Sequence, residues 1–163
     1  MNKQLISKLL QSDGGFAALV LRVPVGIILA AHGAQKLFAW FGGYGLEGTG
    51  QWMASIGLEP GYLMALMAGS AEFFGGIALA LGLLTRPAAA VSAFTMLVAL
   101  FVVHGSNGLF LTNNGYEYAL ALFAATFALT IQGAGRYSID SLLLKQLSNS
   151  ESQTAVSTNK SFA

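Results

Sequence analysis

Residues 16–41 read FAALVLRVPVGIILAAHGAQKLFAWF. The run is long enough to cross an apolar bilayer core of about 30 Å, even when tilted. Pro24 lies inside it and predicts a kink. Three ionisable residues interrupt it: Arg22, His32 and Lys36. At roughly 100° per residue, Arg22, Gly26, Leu29, His32, Gly33 and Lys36 fall on one helix face. A polar, glycine-bearing face on an otherwise lipid-soluble helix points into a bundle. The run is too long for a signal peptide, shows no Ala-x-Ala cleavage site, and is followed by further apolar runs.

The rest of the chain has the same character. Of 163 residues, 9% are charged and 55% hydrophobic, with a net charge of +1 and a mean hydropathy of +0.63. A soluble domain carries about 25% charged residues, so an ordinary soluble domain is excluded. Disorder needs the opposite composition. The absence of cysteine excludes disulfides, iron–sulfur clusters and thiolate metal sites. The near-zero charge offers nucleic acid no electrostatic partner.

Four spans are predicted, at about 16–41, 62–84, 87–103 and 116–131, giving an all-α integral membrane four-helix bundle over residues 1–147. Residues 1–12 predict an amphipathic surface helix with Leu5, Ile6, Leu9 and Leu10 on its apolar stripe. It is broken at Asp13-Gly14-Gly15. Ser138 to Leu147 predicts a second surface helix with Ser138 as N-cap. Residues 148–163 are rich in Ser, Asn, Thr and Gln and predict a disordered tail. Glycines at 42, 43, 45, 48 and 50 predict a loop over 42–61 with one interfacial turn at 51–56. A second polar loop covers 104–115. Tyr44, Trp52, Tyr62, Tyr116 and Tyr118 read as an outer aromatic belt.

Lys3, Lys8, Arg86, Arg136, Lys145 and Lys160 all fall on one side of these spans, and the opposite loops hold only Glu47 and Glu59. Positive residues stay cytoplasmic, so both termini and the 85–87 turn are predicted there. The expected location is a bacterial-type inner membrane.

The chemistry lies in six residues that lipid disfavours: Arg22, His32, Lys36, Glu72, His104 and Glu117. A charge at the bilayer centre costs at least ~2.5 kcal/mol, so such groups turn inward and pair. Glu72 shares a face with Ala65, Gly69, Gly76 and Ala80, a small-residue stripe that admits a close neighbour. Counting rise per residue, His32 lies about 13 Å and Glu72 about 15 Å below the outer surface, and Lys36 about 7 Å. Two layers follow. A middle layer holds His32 and Glu72, with Arg22 reaching up to it. An outer layer holds Lys36, Glu117 and His104, near Gln35 and Asn114. Three simpler readings stand beside this one: an ion-pair set that only fixes helix register, a Lys36 that snorkels outward, and a His104 that caps a loop. A bis-histidine haem between His32 and His104 is disfavoured, because their depths differ by about 12 Å. No metal site is predicted. Walker, Rossmann, Gly-x-Ser-x-Gly and His-Glu-x-x-His motifs are absent.

Three segments resemble the DoxX family of membrane proteins. They are Arg22…His32-Gly33-Ala34-Gln35-Lys36-Leu37-Phe38, then Ala71-Glu72-Phe73-Phe74-Gly75-Gly76 with Gly82-Leu83-Leu84-Thr85-Arg86, then Gly133-Ala134-Gly135-Arg136-Tyr137-Ser138-Ile139-Asp140. The resemblance covers about residues 16–143. It implies a four-helix inner-membrane protein. The family takes its name from a subunit linked to thiosulfate:quinone oxidoreduction, and other relatives are associated with redox-stress complexes beside superoxide dismutase and a sulfurtransferase. For this chain it implies an accessory, redox-associated subunit, with a quinone as ligand and redox proteins as partners. Residue chemistry adds a pocket for a quinone or similar amphiphile, lined by the six residues above. A membrane scaffold, in which the charges only hold the helices, is the alternative. A transporter acting as a homo-oligomer is the third reading.

Overall fold

A computed structural model describes residues 3–12 and 14–160. Met1, Asn2 and Asp13, included in the predicted first helix and its break, lie outside the described residues. Seven α-helices and no strand occur among them. They are α1 (Lys3–Leu10), α2 (Gly15–Phe38), α3 (Gly45–Ser55), α4 (Gly61–Leu81), α5 (Thr85–Val98), α6 (Glu117–Gln132) and α7 (Ile139–Lys160). Beyond Val98, α5 continues to Val103 as a π-helical turn. Three helices are long and apolar enough to cross a membrane: Gly15–Phe38, Gly61–Leu81 and Thr85–Val103. α6 is also apolar but has only 16 residues, about 24 Å of rise.

α2 packs on α4, α4 on α5, α5 on α6, and α6 back on α2. Their common core holds Ala18, Leu29, Leu79, Ala89, Met96, Leu122 and Leu129. Large apolar side chains cover the outside, among them Ile27, Met67, Phe74, Phe94, Phe101 and Phe127. In water so much exposed apolar surface would drive aggregation; against lipid it is the expected coat.

The α2–α4 contact is the closest, and glycine makes it. A Cβ on Gly26 would lie 2.5 Å from the Gly76 carbonyl oxygen, and one on Gly33 would overlap the backbone of Phe73. Any side chain there forces the helices apart. α2 is continuous through Pro24.

Element ends depart from the predicted ones for identifiable reasons. α2 stops at Phe38 because Ala39 turns left-handed, and one 3-10 turn then covers Trp40–Gly42. α4 stops at Leu81, where Gly82 takes φ 67°. The predicted 42–61 loop is mostly helix, α3. Its backbone packs on α4: a Cβ on Gly50 would lie 2.9 Å from Tyr62 Cα. Packing supplies what the three glycines of α3 take from intrinsic helix propensity. The loop at 104–116 holds two 3-10 turns, Gly105–Asn107 and Leu111–Asn113. α7 runs on to Lys160, through the polar stretch for which composition predicted no order. Residues 161–163 lie outside the described residues.

Candidate functional site

The centre of the site is an ion pair between α2 and α4. Lys36 Nζ donates to Glu72 Oε2 at 2.6 Å. The Glu72 side chain is 5% exposed and that of Lys36 23%. Lys36 Cβ packs beside Gly69, one turn from Glu72 on α4. The lysine stem then folds back along its own helix, leaving Nζ 3.5 Å from the His32 carbonyl oxygen. The ammonium therefore turns inward instead of snorkelling, and it joins the two predicted layers. The partner of Glu72 is Lys36, not His32.

This pair lines a half-enclosed cavity of about 110 Å³. His32 and His104 line it as well, with Tyr118, Leu29, Met96 and Leu122 completing the wall. The His32 and Tyr118 rings lie 5.9 Å apart, centroid to centroid. His104 Nδ1 lies 2.8 Å from the Asn114 carbonyl oxygen. A carbonyl can only accept, so Nδ1 carries a proton, and a neutral His104 keeps a free lone pair on Nε2. Ala99, where α5 becomes π-helical, also lines the cavity. Such local widening of a helix is frequent at functional sites. The cavity thus joins a cationic donor, a carboxylate and two imidazoles in an apolar surround. That arrangement can orient a small polar head and exchange protons with it. It has no room for a haem, and no group of three or more His, Cys, Asp or Glu able to hold a metal occurs among the described residues. A larger groove of about 690 Å³ between α4 and α5 is lined by Phe74, Ala88, Val91 and other residues, none of them titratable.

Two of the six predicted residues sit elsewhere. Glu117 turns to the adjoining loop, where Oε1 accepts from the Leu111 backbone N–H at 2.6 Å. Arg22 is 2% exposed at the opposite end of the helices. Its Nε donates to Ala134 O at 3.0 Å, and Nη1 to Leu79 O at 3.1 Å and Ala80 O at 2.5 Å. Nη2 donates to Tyr137 O. The carbonyls at the α4 C-terminus, the negative end of the helix, attract a cation, and they rather than Glu72 receive the guanidinium.

At this end sequence reasoning placed the Ser138 cap and missed the other contacts. Asp140, 1% exposed, accepts from Leu84 N at 2.7 Å and Thr85 N at 2.9 Å, capping α5. Ser138 Oγ accepts from Ser141 N at 3.1 Å, as predicted for an N-cap. Arg86 donates to the carbonyls of Gln11, Thr130 and Ile131. Ser12 Oγ donates to Gln132 O and accepts from Gly135 N. Together these contacts form a clasp that ties the segment after α6 to α2, α4 and α5. The closing motif, which carries Asp140 between apolar stretches, was the available signal. Tyr118 was read only as a belt residue; nothing in the sequence distinguishes it from the other tyrosines.

The DoxX family profile matches residues 17–105, which hold His32, Lys36, Glu72 and His104. The chain is 34% identical over 131 residues to "Putative oxidoreductase CatD" of Bacillus subtilis (strain 168), covering 80% of this chain and 90% of that protein. It is 36% identical over 134 residues to "Inner membrane protein YqjF" of Escherichia coli (strain K12), covering 78% and 92%. A protein of Haemophilus influenzae is 32% identical over 133 residues, covering 77% and 90%. No solved structure matches. The family profile, the near-full-length relatives and the apolar helices agree: this chain is a membrane protein and belongs to the DoxX family.

Proposed function

We propose that this chain is a redox-associated subunit of a bacterial inner membrane whose small cavity holds the polar head of a quinone or a similar amphiphile. One observation carries the reading. The Lys36–Glu72 pair, closed at 2.6 Å, faces a cavity that also presents His32 and His104. A pair serving only to hold two helices needs no cavity beside it. In this reading Lys36 Nζ donates to a carbonyl oxygen of the ligand. Glu72 and His32 hold and release protons beside it. A quinone would supply the electron chemistry when bound. The name of the Bacillus subtilis relative favours an oxidoreductase context; redox proteins as partners are part of the proposal.

The reading includes a topology. α6 begins near the end of α5 and ends beside its start, where Arg86 reaches Thr130 and Ile131. It forms the fourth span, and the bilayer thins or the flanking residues snorkel to match its length. The clasp, with Arg86 and Arg136, faces the cytoplasm, and so do both termini.

Native mass spectrometry in mild detergent tests the ligand. Wild type should retain an adduct of quinone mass, and Lys36→Met and Glu72→Gln should each lose it while remaining folded. Adduct-free wild type, or adducts indifferent to both changes, would leave the membrane scaffold. The clasp favours that second reading, because there a buried charge is matched by backbone carbonyls that tie separate segments together.

A further inference from the structure

We infer that the cavity is built for a single six-membered ring and rejects a fused two-ring head. The inference rests on the ligand reading above and adds a size limit to it. An engineered apolar cavity of about 150 Å³ binds benzene, so a single ring is the scale of what such a space takes. The cavity here is about 110 Å³ and open on one side. One ring fits with an edge toward the opening, where a tail can leave; a second fused ring has no space.

Whether that limit holds depends on the walls. Leu29 is fully buried, and Met96 and Leu122 are each 6% exposed, so three walls belong to the packed interior. Close-packed interiors yield little. Beside them stand Tyr118 and Ala119 at the start of α6, and the last wall comes from the 104–116 loop, through His104, Leu111 and Gly115. That loop is pinned at three points. Glu117 holds the Leu111 backbone N–H, and His104 and Asn107 both meet the Asn114 carbonyl oxygen. Glu117, outside the cavity lining, therefore serves it by fixing that wall.

The test uses two probes with the same decyl tail, a benzoquinone and a naphthoquinone, titrated onto the full chain in lipid nanodiscs. Wild type should bind the one-ring probe at least tenfold more tightly. Lys36→Met should weaken that binding at least tenfold, with Glu72→Gln as a second variant should Lys36→Met fail to fold. Leu122→Ala widens the cavity and should raise affinity for the two-ring probe selectively, closing the gap. Equal affinities that both depend on Lys36, or a preference for two rings, would overturn the size limit and leave the ligand site standing. A gap unmoved by Leu122→Ala would also overturn it. Binding of neither probe, or binding indifferent to Lys36 and Glu72, would remove the site, and the size limit with it.

Discussion

Two buried charges on α2 meet different fates, and the difference is instructive. Lys36 finds a carboxylate and Arg22 finds carbonyls. Both were legible as inward-facing, because period alone places them on one face with His32. Their partners were not equally legible. Glu72 is a side chain and can be read; the Arg22 acceptors are backbone oxygens at a helix end and in a turn, which sequence does not display. Lys36→Met leaves Glu72 buried without a cation and should cost about 3 kcal/mol. Glu72→Gln leaves a lysine with a quarter of its side chain exposed, free to reach the interface, and should cost about 1 kcal/mol. Thermal unfolding in one detergent ranks the two. Arg22→Lys should behave like a deletion, since an ammonium cannot reproduce a planar fork serving carbonyls on separate segments. Asp140→Ala should lower stability by about 1–2 kcal/mol through the lost α5 cap; the same unfolding measurement, with Asp140→Asn as an intermediate case, checks it.

Among elements, the α2–α4 crossing was readable and α3 was not. The stripe of Ala65, Gly69, Glu72 and Gly76 announces a close neighbour, and all four are buried. Glycine carries opposite meanings in the two places. On α4 it shortens a helix crossing; in 42–61 it suggested a loop, and only the backbone packing of Gly50 against α4 reveals a helix. The local signal is the same, and the tertiary partner decides. Gly33→Ala should destabilise by about 1–3 kcal/mol, because its methyl meets α4 backbone, which cannot rotate away. Ile27→Ala, on the lipid-facing side of the same helix, should stay within about 0.5 kcal/mol. Urea or heat titration of both variants in matched detergent separates them.

At the scale of the whole molecule, the proposed orientation is open to direct measurement. The chain has no cysteine, so single introduced cysteines report cleanly. Tyr44→Cys and Thr112→Cys should react with an impermeant maleimide in intact spheroplasts. Lys8→Cys, Arg136→Cys and Lys145→Cys should react only after lysis. The pair at 112 and 136 also decides whether α6 crosses. The clasp has one more consequence, which concerns time. Arg22 enters the membrane on α2, synthesised before α4, α5 and α6, whereas two of its acceptors, Ala134 and Tyr137, follow all of these helices. Until then the guanidinium lacks part of its coordination in a medium that penalises it. Nascent α2 should therefore linger beside the insertion machinery while α4, α5 and α6 follow, and be released only when the closing motif emerges. Stalled chains ending at Gln132 should still cross-link to the translocon through α2, and chains ending at Leu147 should not.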